Sequence, residues 1–277
     1  MHLLVIASCS FDVFAPLRVS WYNDYISELG LSTDSTKYLE KAGEAHASGE
    51  PAPFALRPLD DFGRRGNCLA FLVGNSRAMW SRCLRWLKQQ PDPSAVKDPV
   101  DTYAAEAIRT AIERFTATEG EREGSKPRYE IYWSFDMSPE RLVDMNRVSR
   151  VSACCYFSDE MFLSIHPTFG SWVAFRAVVV VDMPATHLHG PPRHLDPLLT
   201  DEEAAAAKVA FDAALKASSE VEMSVDGMPL HLAQKWAAMR DCVGLGREHK
   251  YGDQQSAYHY TKDRRLLDEA MAEEPNL

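Results

Sequence analysis

The chain has 277 residues and a formal net charge of −10, from 30 Lys plus Arg against 40 Asp plus Glu. That length suits one large domain or two small ones and allows a substantial core. Ordinary apolar and charged fractions exclude wholesale disorder, and the acidic balance excludes a general affinity for nucleic-acid backbone or anionic membrane while leaving room for a local basic pocket.

Six cysteines, Cys9, Cys68, Cys83, Cys154, Cys155 and Cys242, form no CxxC. Scattered thiols point to a reducing compartment, the cytoplasm, and away from structural zinc. Cys154 and Cys155 are too close to bridge usefully within a regular element. The opening Met1 to Ala7 is apolar without a basic leader, so no secretory signal is expected. No apolar run approaches the roughly 20 residues of a membrane span.

In chain order, Phe11 to Leu29 is the first ordered stretch. Ser32 to Gly66 is rich in Ser, Gly, Pro and charge, and Lys41 to Pro51 within it reads as an inserted polar loop. Asn67 to Gly74 reads as a short buried strand. Ser76 then caps a helix on which Met79, Cys83, Leu84 and Leu87 recur at helical spacing, with Trp80 and Trp86 as packing residues. Asp98-Pro99-Val100-Asp101 has the chemistry of a second helix start: a cap oxygen, a proline at the first position and an acid for the dipole. Tyr129 to Ser134 follows as a strand, and Ser138-Pro139-Glu140 opens another helix. Ala153 to Phe157 fits either a continued helix or a strand.

At the centre, Ile165-His166-Pro167-Thr168-Phe169-Gly170-Ser171-Trp172 is a turn that feeds Val173 to Asp182. Eight of those last ten residues are apolar, without clean alternation, as in a strand covered on both faces. Its single cation, Arg176, cannot deprotonate and is costly to bury alone, so it meets an anion or reaches a cleft. After a Pro/His loop from Met183 to Leu199, Thr200-Asp201-Glu202-Glu203 is a capping box, and an Ala-rich helix runs to about Ser218. Pro229 to Val243 is a further helix, and Lys250 to Met271 a turn and a C-terminal helix. Strands mixed with helices give an α/β or α+β layered domain.

Chemical signatures are few. His187, His189 and His194 lie close together but lack cysteines or a second cluster at metal spacing, so no metal is expected. There is no GxSxG, Walker loop, GxGxxG or HExxH. Asp159-Glu160 and Glu202-Glu203 fit solvated turns better than catalytic pairs. His166 suits equally an imidazole satisfied by its own loop or a ligand contact. The residues alone lead to a soluble α/β-type domain with a cleft around Arg176.

The chain also resembles the cobalamin-processing family of the CblC (MMACHC) type. The resemblance rests, in order, on Cys9 to Phe14 with Val19 to Asn23, Leu69 to Val73 with Ala78-Met79, Asp98 to Asp101, Val151 to Phe157, and above all Ile165-His166-Pro167, Phe169-Gly170, Trp172 and Arg176 to Val179. Arg240-Asp241, Val243, Tyr251, Gln255, Ala257-Tyr258 and Thr261 complete it. It implies a flavin nitroreductase-like α+β fold, with a central mixed sheet flanked by helices. Residues 1–277 then form one domain, with a polar insertion at about 32–66 and a helical part from about 200.

The resemblance also implies that cobalamin is bound base-off and loses its upper axial ligand. Cyanocobalamin would be decyanated with reduced flavin (FMN or FAD), and alkylcobalamins dealkylated onto glutathione. Arg176 and Arg240 match the family's glutathione arginines. A third has no counterpart in register, Arg264 and Arg265 falling close by. Ser134, Phe157, Ser158 and Phe175 match the corrinoid lining, and His166, in the most specific block, is expected with them as a cobalamin-binding residue. No catalytic side chain is implied, and a downstream cobalamin-trafficking protein is the implied partner. The short Tyr156 to Ile165 segment and the long Ser32 to Gly66 segment depart from the family pattern. They keep open a cobalamin carrier without turnover and a flavin-dependent oxidoreductase.

Overall fold

A computed structural model describes residues 11–221 and 227–274. Cys9 and Ser10 of the first matched block lie outside the described residues. The strands are β1 (Val13–Arg18), β2 (Cys68–Asn75), β3 (Tyr129–Trp133), β4 (Tyr156–Ser158), β5 (Leu163–Ile165) and β6 (Ala174–Pro184). The helices are α1 (Val19–Glu28), α2 (Thr36–Ser48), α3 (Met79–Lys88), α4 (Pro99–Glu123), α5 (Met145–Val151), α6 (Asp201–Ser219), α7 (Leu230–Asp241), α8 (Asp253–Thr261) and α9 (Arg264–Glu273). The expected α+β layered architecture is what the chain adopts.

Four strands form the central sheet in the order β1-β2-β6-β3, and β4 pairs with β5 apart from it. The sheet was expected to be mixed; all three of its pairings are antiparallel. β2 and β6 lie in its middle, which is why their sequences read as unbroken apolar runs: every residue of β2 is buried. β1 is an edge strand that alternates buried and half-buried, and there Pro16 is tolerated. One face of the sheet carries α3 and α4, with Leu84, Ile108 and Ile112 on Phe71 and Val179. The other carries α1 and α5, with Tyr22, Ile26 and Val148 against Leu72 and Val178. Each such side chain, fully buried, contributes about 1.5–3 kcal/mol. A third cluster packs the β4–β5 hairpin against α6 and α7 through Met161, Ile165, Ala207 and Val243.

Several local readings are corrected. Lys41 to Pro51, expected as loop, lies largely within α2, which Ser35 caps and Gly49 ends in a left-handed conformation. Helix-forming Ala, Lys and Glu with a proper cap suffice to form it, although none of its residues is buried. The helix expected from Ser138 begins instead at Met145, where Asp144 accepts from the amides of Asn146 and Arg147. Ser138 is held in a turn by Asp136, whose carboxylate accepts from its amide and hydroxyl.

Asp98 supplies no cap bond to α4, and Ser76 lies ahead of α3 with its hydroxyl on Asp12. The Ala153–Phe157 patch is a turn leading into β4, and the C-terminal segment is two helices split at left-handed Lys262. The capping box at Thr200 forms as expected.

Candidate functional site

Arg176 owes its orientation to a break in the β2–β6 ladder. Val73 pairs with Ala177 but Gly74 pairs with Phe175, so Arg176 is the extra residue of a bulge. Strict alternation would send it to the face that Val178 and Val180 occupy. The bulge turns it instead toward α4, while Phe175 packs on the opposite face. Gly74 permits the close approach: a Cβ there would stand 2.8 Å from the Ala174 carbonyl oxygen. Arg176 as a whole is 8% exposed. Its Nε donates to Asn75 Oδ1 at 2.7 Å and its Nη1 to Asp101 Oδ1 at 3.3 Å. The expected anion is therefore Asp101, read in the sequence only as a complement to the helix dipole.

Arg240, at the end of α7 and 7% exposed, holds the turn that precedes β6. Its Nε donates to the Ser171 carbonyl at 2.8 Å, its Nη2 to the carbonyls of Ser171 and Val173, and Ser171 Oγ returns a bond to the Arg240 carbonyl at 3.0 Å. The guanidinium lies 4.5 Å from the Trp172 ring centroid and 5.1 Å from that of Tyr251. His259, which the sequence reading missed, stands within the influence of both arginines. Burial, then Arg240, Arg176 and Lys262, push its imidazole well below the usual range, so it is neutral. Of the two arginines out of register, Arg264 ties α9 to the carbonyls of Pro93 and Val96, and Arg265 pairs with Asp263.

The structure gathers part of the expected corrinoid lining. Ser134 continues β3, its amide donating to the Arg176 carbonyl at 2.9 Å. With Phe175 it lines a cavity of about 350 Å³ whose wall includes Leu56, Leu142 and the first turn of α5. Phe54 and Met137 stand at its mouth, 63% and 69% exposed. Phe157 and Ser158 are buried on β4, and they reach the cavity indirectly: Asn146, in its wall, accepts from Ser164, the register partner of Phe157. Arg147 lies over the Phe157 and Phe162 rings.

His166 does not join this group. Its Nδ1 accepts from the amides of Thr168 and Phe169 at 3.0 and 3.3 Å, which closes its own turn. That turn crosses the chain after α7 so closely that a Cβ on Gly170 (φ +57) would collide with the Leu245 carbonyl. A cavity of about 820 Å³ lies around Asp182 at the other end of β6 and is lined by none of the predicted site residues. Among the described residues, no three of His, Cys, Asp and Glu gather as metal ligands, and no helix is long and apolar enough to cross a membrane.

No family model matches the chain, and no curated protein matches it in sequence. Among solved structures it superimposes on the B12-trafficking protein CblC of C. elegans, a homologue of human MMACHC. The TM-score is 0.61 at 16% identity, over 100% of this chain and 98% of that one. The fold is that of CblC. Epoxyqueuosine reductases are more distant: one from Bacillus subtilis gives a TM-score of 0.46 at 12% identity, covering 90% of this chain and 65% of that one. The likeness in fold thus extends over the described residues of the blocks on which the sequence resemblance rests.

Proposed function

We propose that the chain is a single cobalamin-processing domain that takes cobalamin base-off and removes its upper axial ligand. The observation that carries this reading is the cavity at the end of β3 and β6. Ser134 and Phe175 lie within it, and Phe54 and Met137 spread an apolar surface around its mouth. A mostly apolar concavity with few polar groups suits a corrinoid with its lower base displaced, because it excludes water from the metal's lower face. Phe157 and Ser158 would extend the lining across the first turn of α5, and His166 would order the turn behind it. The likeness in fold to a B12-trafficking protein supports the same reading.

In this proposal Arg176 and Arg240 hold a thiol co-substrate with two carboxylates, glutathione. A guanidinium forks onto a carboxylate, and the cationic pair favours the thiolate over the thiol. The thiolate sulfur then attacks the alkyl carbon of an alkylcobalamin, forming a thioether and leaving the electron pair on cobalt. His259, neutral between the arginines, adds no competing charge. Cyanocobalamin would lose cyanide on reduction by an external reduced flavin, FMN or FAD, to which no residue is assigned. The product would pass to a cobalamin-trafficking partner in the cytoplasm.

One observation favours a carrier without turnover. Both arginine forks already rest on protein groups, Asp101 and Asn75 for one and backbone carbonyls for the other. Anaerobic titration with methylcobalamin separates the readings. The enzyme gives the base-off spectrum on mixing and reduced cobalamin plus methylated glutathione once glutathione is added. A carrier gives only the first change, and an unchanged spectrum overturns both.

A further inference from the structure

Cys154 and Cys155 belong neither to the cavity nor to the arginine pair. They follow Ala153, whose φ of +51° is left-handed for a residue that is not glycine. The amides of Cys154 and Cys155 both donate to one acceptor, the Ser149 carbonyl, at 2.9 and 3.3 Å. Successive amides in a strand point to opposite sides. Two on one oxygen mean a curled peptide, not an extended one, at the two cysteines.

The residue that follows β5, His166, supplies the third group, its side chain meeting that of Cys154. His166 Nδ1 is occupied as an acceptor by two amides, which leaves the proton on Nε2. Hydrogen bonding from Cys155 and, against the cost of burial, from His166 lowers the Cys154 thiol below the usual thiol range. The same contact with Cys154 raises Cys155. Cys154 is 9% exposed and Cys155 1%, so only a small reagent reaches the pair, and it reaches Cys154 first. Adjacent Cα atoms lie about 3.8 Å apart, below the usual disulfide span of about 4.4–6.8 Å, so a bridge here is strained and easily reduced.

We propose that Cys154 and Cys155 form a two-thiol redox centre oxidised by small hydroperoxides, in which Cys154 attacks and Cys155 resolves. The Cys154 thiolate takes the terminal oxygen of the hydroperoxide, the O–O bond breaks, and hydroxide or alkoxide leaves to take a proton from water. Cys155 then attacks the sulfenic sulfur, and its proton leaves with the sulfenic hydroxyl as water. Two electrons pass from the two sulfurs to the peroxide, and two equivalents of a small thiol reopen the bridge by exchange. This centre is independent of the cobalamin reading.

The full chain is treated with a few equivalents of hydrogen peroxide, alkylated with iodoacetamide without reduction, and digested with trypsin. The peptide from Val151 to Arg176 contains Cys154 and Cys155 and no other cysteine. It is expected to lose two hydrogens, about 2 Da, to carry no alkyl group, and to recover both thiols in dithiothreitol. Buried Cys68 and Cys83, pushed up to about 11 and 12 chiefly by burial, stay reduced at the same dose. Cys155→Ser is expected to yield a sulfenic acid at Cys154 that dimedone labels, and Cys154→Ser to leave Cys155 reduced. Alkylation of both cysteines in peroxide-treated wild type overturns the proposal without recourse to a variant. So does oxidation of Cys155 in Cys154→Ser at the wild-type rate.

Discussion

Arg176 and Asp101 form a nearly buried pair, their side chains 9% and 21% exposed. Each is costly without the other, because removing one leaves an uncompensated charge where water is scarce. Arg176→Ala is expected to lower stability by about 3 kcal/mol in urea unfolding, and Asp101→Asn in the same chain to restore part of that loss. Strictly additive losses would mean that the two side chains do not support each other. The presence of an anion for Arg176 was legible in the sequence, since a lone cation in a buried run needs one. Its identity was not. Asp101 and Asn75 lie 75 and 101 positions away, and only the packing of α4 on the sheet brings them together.

At the scale of elements, α6 shows a local signal with a second, non-local use. Thr200 and Glu203 form the capping box that the sequence announces, worth about 1 kcal/mol for the threonine. Glu203 Oε1 also accepts from the Gly244 amide at 2.7 Å, so the same carboxylate fastens α6 to the segment after α7. Thr200→Ala is expected to cost about 1 kcal/mol and Glu203→Ala more, since the latter also leaves the Gly244 amide without its partner. Thermal unfolding of the two variants checks this, and equal losses would assign Glu203 no role beyond the cap. The misread helix start at Ser138 has the opposite origin. Ser-Pro-Glu satisfies the rules for a helix start, but a turn held by Asp136 competes successfully, and Asp144 offers a better cap six residues later.

At the scale of the whole molecule, the region where α7, α8 and β6 meet concentrates positive charge around a neutral imidazole. His259 titrates well below its usual range when folded. The unfolded chain therefore binds a proton at about pH 6.5 that the folded chain refuses. Stability from this group is complete above that pH and declines as pH falls below it, by at most about 1.4 kcal/mol per pH unit. The melting temperature is expected to drop between pH 7.5 and 5.5, and His259→Phe to flatten the decline. A slope unchanged in His259→Phe would assign the acid sensitivity to other groups.

The buried central strands, the Thr200 cap and the turn before β6 were legible because they depend on β-branching and local hydrogen bonds. The chain by itself also marked Arg176 as a cation in need of a partner and carried a resemblance spanning most of its length. Tertiary structure alone decided the rest. The bulge between Val73 and Gly74 turns Arg176 away from the face of Val178 and Val180, a reversal of facing that no one-residue pattern encodes. The cavity places Ser134 and Phe175 together and leaves His166 out, because strand register and helix packing, not nearness in sequence, decide which side chains share a space.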